Sequence, residues 1–172
     1  MDASDWIEAL QLEPHPEGGF YRETYHSPVW MEDEATLGRY GSPRRSATSI
    51  YFLLRADDVS HFHRLKSDEL WYFHVGDPLV VHTIDASGKY AAHALGVRMD
   101  IGERPQLLVP KGTIFGSSPA PQKPNQHVFG YSLVSCMVTP GFDFRDFELC
   151  KRHELVTQFP QHASIIERLA LL

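Results

Sequence analysis

Hydrophobic and polar positions alternate differently along three parts of the chain. Residues 4–12, SDWIEALQL, offer Ser4 and Asp5 as caps, place Glu8 three after Asp5 and space Trp6 and Leu10 four apart, which predicts a short amphipathic helix. The segment 13–27, EPHPEGGFYRETYHS, has two prolines and a Gly-Gly pair before an alternating run from Phe20 to Tyr25 that suits a strand. Residues 26–47 are polar, with Gly38, Gly41 and Pro43 among them, and read as a long exposed loop. From residue 48, short strand signals follow one another: TSIYFLL, SHFHRL, ELWYFHV, PLVVHTI, YAAHALGV, PQLLVP, FGYSLVSCMVTP and FDFRDFEL. Turn residues such as Asp77-Pro78 and Ser87-Gly88 separate them, and many short strands at this spacing predict a sandwich or barrel. HASIIERLALL at the end puts Ile165, Ile166 and Leu169 on one stripe, a closing helix.

Length and charge narrow the class. A chain of 172 residues suits one domain, 1–172, able to bury about two thirds of its unfolded surface without staples. The net charge of −6 and the scatter of Lys and Arg argue against a nucleic-acid partner, which needs a phosphate-neutralising stripe. The start, Met-Asp-Ala-Ser-Asp, is acidic where a secretory signal is basic, and no apolar run reaches bilayer length, so no membrane partner and a cytoplasmic location are expected. Cys136 and Cys150 form no metal or disulfide motif and read as buried thiols.

The stretch 61–76, HFHRLKSDELWYFHVG, carries the densest candidate chemistry. Residues two apart on a strand share a face, so His61 and His63 point together, as do Glu69, Trp71 and Phe73 on the next strand. A hairpin loop of three or five residues around Lys66 would set His63 opposite Glu69; an even loop would send Glu69 to the other face. With the favourable register, His61, His63 and Glu69 form a two-histidine, one-carboxylate set for a divalent metal. The same residues also read as a metal-free site, His63 a base oriented by Glu69, or as polar groups satisfied in the core. Trp71 and Phe73 would supply an apolar wall, and Glu17 and Arg22, from HPEGGFYR, could grip polar or anionic substrate groups.

The spacing His61-x-His63, Glu69, Gly76 resembles the first signature of the cupin superfamily, and Pro110-Lys111-Gly112 resembles the start of the second. The blocks PHPEGGFYRETY, TSIYFLL, SDELWYFHVGDPL, LVPKGTIFG and YSLVSCMVTPGFDFRDFEL resemble the small single-domain cupin family long catalogued as a domain of unknown function. That resemblance implies an all-β fold, a jelly-roll β-barrel with short flanking helices at both ends, a pocket at one mouth and a homodimer. The superfamily's further histidine ligand would fall near Ser118, but no histidine occurs from Thr113 to Gln126, and His127 lies farther along. The cofactor is therefore either none or one divalent ion on three protein ligands. Metal-free cupins that epimerise sugar nucleotides pair such a histidine with a tyrosine, which makes Tyr131 the candidate acid, with Tyr51 and Tyr21 as alternatives. The expected partner is a small ligand, a carbohydrate derivative, and the expected activity is epimerisation or isomerisation; a non-catalytic ligand binder is the alternative.

Overall fold

A computed structural model describes residues 1–121 and 128–172; His127 lies outside the described residues. Among the described residues, thirteen strands follow the first helix: β1 (Glu13–Pro14), β2 (Phe20–His26), β3 (Trp30–Met31), β4 (Arg44–Arg45), β5 (Thr48–Arg55), β6 (Ser60–Leu65), β7 (Asp68–Gly76), β8 (Leu79–Ile84), β9 (Tyr90–Leu95), β10 (Gln106–Val109), β11 (Ile114–Pro119), β12 (Tyr131–Thr139) and β13 (Phe147–Leu149). The helices are α1 (Ala3–Ala9), α2 (Glu34–Tyr40), α3 (Arg152–Gln158) and α4 (Ala163–Leu169). Strands pair antiparallel into two principal sheets, β1-β2-β5-β12-β7-β10 and β13-β6-β11-β8-β9, with β3 and β4 forming a small ribbon. The sheets face each other as a sandwich, and strand pairing does not close them into the expected barrel. Among the described residues no helix is long and apolar enough to cross a membrane.

Alternation along each strand builds the core between the sheets. Phe52, Leu54, Trp71, Val81, Phe115 and Val134 belong to one buried cluster drawn from both sheets. The outward faces are covered by helices. Trp6 and Leu10 of the N-terminal segment pack on Leu53 and Leu133, while Ile166 and Leu169 of α4 pack on Phe62 and Ile84. Asp2 caps α1 through a reciprocal capping box with Asp5, so the helix begins earlier than Ser4 alone would suggest.

Two local expectations are corrected, and one strand forms in a stretch to which no element was assigned. The stretch 26–47 is not all loop: Asp33 accepts the backbone N–H of Thr36 and Gly41 closes the far end at φ 73°, which together hold α2 despite Gly38 within it. IFGSSP forms β11, although glycine, serines and proline speak against a strand; a Cβ on Gly116 would lie 2.7 Å from the Ser60 carbonyl, so the neighbouring backbone requires the glycine. Finally, β6 and β7 are not a hairpin. Lys66 and Ser67 carry the chain from one sheet to the other, so β6 pairs with β11 and β13, and β7 pairs with β10 and β12.

Candidate functional site

A cavity of about 310 Å³ opens between the sheets, and His15, Glu17, Tyr21, His63, Glu69 and Cys136 line it. His63 and Glu69 reach it from opposite sheets rather than from neighbouring strands. Glu17 comes from the β1–β2 loop. There Gly18 and Gly19 have φ of 107° and 72°, and a Cβ on Gly18 would sit 2.0 Å from the Val59 carbonyl oxygen. Only glycine fits that approach, and it lets the loop dock on β6, where the Glu17 carbonyl accepts the His61 N–H at 2.6 Å.

A bulge in β6 decides which side chains face inward. Phe115 pairs with His63 and Ser117 with Ser60, so β6 carries one residue more than β11 over the same span. Ser60 and His63 therefore both point at Glu17: the Ser60 hydroxyl donates to Oε1 at 2.9 Å, and His63 Nε2 lies 3.1 Å from Oε2. His61 is displaced from this set. Its Nδ1 bonds the Leu169 carbonyl of α4 at 3.0 Å, and the residue does not line the cavity.

Protonation follows from the hydrogen bonds. His63 Nδ1 is 2.7 Å from the His61 carbonyl, which can only accept, so Nδ1 carries a hydrogen. Burial lowers His63 to about 4 and raises Glu17, in the latter case against the opposing influence of His15, Ser60 and His61. Glu69 is pushed up to about 8, first by burial and then by the charge of Glu17, while the Cys136 thiol opposes the shift by hydrogen bonding to it. Burial, then the two carboxylates, holds Cys136 well above its usual range, so it is a neutral thiol. His15 is lowered by burial, and its Nδ1 accepts the Glu17 N–H at 3.1 Å. Tyr21 packs edge-on to His15 at 4.5 Å; burial and then the neighbouring Glu13 raise its hydroxyl.

The other expected site residues lie elsewhere. Tyr131 is buried beneath α1, where its hydroxyl accepts the Trp6 indole N–H at 2.8 Å and donates to the Met1 carbonyl. Tyr51 lies on the same outer face, beside His74. Of the three tyrosines, Tyr21 is the one at the cavity. Arg22 is exposed and reaches the Gln11 carbonyl at 3.3 Å. Trp71 and Phe73 belong to the core between the sheets and do not line the cavity. His15, Ser60 and Cys136 carried no usable signal: each joins the site through a turn, a bulge or a distant strand rather than a spacing.

A divalent ion does not fit these donors. Nδ1 of His61 is engaged by the Leu169 carbonyl of α4, and among the described residues no group of three His, Cys, Asp or Glu is arranged to hold a metal.

Comparison with known proteins agrees with this architecture. The family model described as "Cupin superfamily (DUF985)" matches residues 4–150. The chain is 32% identical over 154 residues to the uncharacterized protein YML079W of Saccharomyces cerevisiae, covering 86% of this chain and 73% of that one. Among solved structures, a hypothetical protein from Leishmania major superposes with a TM-score of 0.90 at 42% identity over the full length of both chains. Protein SO0799 from Shewanella oneidensis gives 0.85 at 46% identity over 99% of this chain and 98% of that one. Bacillus subtilis oxalate decarboxylase gives 0.53 at 14% identity, covering 92% of this chain and 37% of that one, a likeness of fold alone. From sequence to superposition, these matches make the chain a member of the cupin superfamily, in the family DUF985.

Proposed function

We propose that the cavity carries out proton transfer on a small hydroxyl-rich molecule, as an epimerase or isomerase of a sugar derivative. The observation that supports this is the His63–Glu17 contact of 3.1 Å with the far side of the imidazole held by the His61 carbonyl. In this reading, the Glu17 carboxylate takes a proton from a substrate carbon beside a carbonyl, and its burial makes it a stronger base than an exposed carboxylate. The products of that step are an enolate and a neutral carboxyl, so charge is conserved. Glu69 remains protonated up to about pH 8 and donates a hydrogen bond to the enolate oxygen. Reprotonation from the other face gives the epimer, and protonation at the adjacent carbon gives the isomer.

The test is NMR detection of solvent deuterium at carbon across free sugars, sugar phosphates and nucleotide sugars. Exchange in the wild type that disappears in Glu17→Gln and His63→Ala supports the reading. Saturable binding with no exchange anywhere in the panel would sink it in favour of a non-catalytic binder. The burial of Tyr131 under α1, away from the cavity, favours that second reading.

A further inference from the structure

Beside the cavity lies a surface groove of about 470 Å³ with the opposite electrostatic character. Four carboxyl groups, Glu13, Glu17, Glu23 and Glu69, line the cavity with no Lys or Arg among its lining residues. The groove is lined by Arg39, Arg64, Lys66, Lys111 and Arg145 against Asp146 and Glu148. Its acids are already engaged. Glu148 pairs with Arg64 at 2.7 Å, and Asp146 is gripped by the buried Arg44 at 2.7 Å. Arg145 is committed to Asp143 at 2.6 Å. Lys66 comes only within 3.9 Å of the occupied Asp146, and among the described residues Arg39 and Lys111 have no ion-pair partner. Arg39, Lys111 and the loosely paired Lys66 thus converge on one concavity of a chain whose net charge is −6.

Groove and cavity share a wall. Leu65 lines both, and Phe147 lines the groove while its ring centre lies 5.2 Å from that of His63. Phe144, 53% exposed, lines the cavity, and the next residue, Arg145, lines the groove. The two regions therefore adjoin along Leu65 and the Phe144–Arg145 step.

From this juxtaposition we infer that the ligand is bipartite: an uncharged hydroxylated head enters the acidic cavity and a phosphoryl ester or pyrophosphoryl tail rests on Arg39, Lys66 and Lys111. The inference deepens the proposed function and rests on its reading of the cavity for the head. The cavity would repel an anion, since ionisation of Glu17 and Glu69 is already disfavoured there, whereas the groove supplies mobile donors suited to a tetrahedral anion.

Isothermal titration with inorganic pyrophosphate, and with a matched pair of glucose 1-phosphate and glucose, tests it. The triple variant Arg39→Gln, Lys66→Gln, Lys111→Gln changes exposed side chains, and a thermal melt checks that it folds. The expected result is pyrophosphate binding that weakens with added salt and falls about tenfold or more in the variant, as loss of several charge contacts requires. The phosphate ester should also bind better than the free sugar in the wild type alone. Equal pyrophosphate affinity in both proteins, or no preference for the ester, overturns the inference. Additive binding of glucose and pyrophosphate without competition from the ester at either site also overturns it, because the two regions would then not serve one ligand. Groove-dependent binding of the ester without deuterium exchange would leave the bipartite ligand standing and remove only the proton chemistry.

Discussion

His63 Nε2 lies 3.1 Å from Glu17 Oε2, and the imidazole is oriented from its other side by the His61 carbonyl, 2.7 Å from Nδ1. Glu17→Gln keeps an acceptor for the Ser60 hydroxyl yet removes the base. Deuterium exchange should fall by about 100-fold or more, the usual scale of a positioned acid–base group, while the thermal midpoint changes little. A variant that exchanges as fast as wild type removes Glu17 from the chemistry.

Glu69 gives a signature in alkaline stability. Its folded pKa of about 8 exceeds the unfolded value of about 4.3, so the folded state binds more protons between these limits and stability declines as pH rises through that window. Glu69→Gln has no such proton to lose. Its melting temperature relative to wild type should be level near pH 4 and climb toward pH 8; a pH-independent difference contradicts the assignment.

The acid side belongs to two buried histidines. His63 and His82 are both lowered to about 4 by burial, His82 also by Arg168, against an unfolded value of about 6.5. The unfolded chain takes up protons first as pH falls from 6.5 to 4, so stability drops there. His82 bonds the Tyr90 hydroxyl at 2.8 Å and Ser118 at 3.3 Å, contacts an amide can imitate. Urea denaturation of His82→Gln at pH 4.5 and 7 should show a smaller difference between the two conditions than wild type.

Gly18 and Gly102 separate crowding from backbone strain. Both have positive φ, 107° and 91°, but a Cβ at 102 meets nothing within 4 Å whereas one at 18 strikes the Val59 carbonyl. Gly102→Ala should cost about 1 kcal/mol and Gly18→Ala several times that, measured by chemical denaturation. Equal costs would show that the loop can lift off β6.

Arg44 and Asp146, 2% and 4% exposed in their side chains, form a two-point contact through Nε and Nη2. Removing Arg44 alone leaves a buried carboxylate and should cost about 3–5 kcal/mol. The double replacement Arg44→Met, Asp146→Leu should be less destabilised than Arg44→Ala, which a double-mutant cycle reads directly.

Much of the fold was legible because it rests on alternation. SHFHRL coincides with β6 and PLVVHTI overlaps β8 to within one residue, the first an alternating stretch and the second an apolar run. What escaped was set by distant backbone: β11 tolerates Gly116 because Ser60 presses against it, and α2 is held by its caps rather than by an apolar stripe. At the site, parity was a sound guide for Glu69, whose inward position survives the loss of the hairpin. It failed for His61, because a bulge is invisible to a period of two. Tyr131 was named through the likeness to metal-free sugar-nucleotide cupins, yet β12 buries its two faces in different cores, and Tyr131 belongs to the one under α1.

The extra residue in β6 also bears on how such sites diversify. With it, Ser60 and His63 both meet Glu17; without it, positions two apart would share that face and the same letters would offer a pair of imidazoles. A residue gained or lost at this point would then exchange one donor set for another. Within this fold, the choice between a hydroxyl–imidazole site and a two-imidazole site can therefore turn on strand length as much as on substitution.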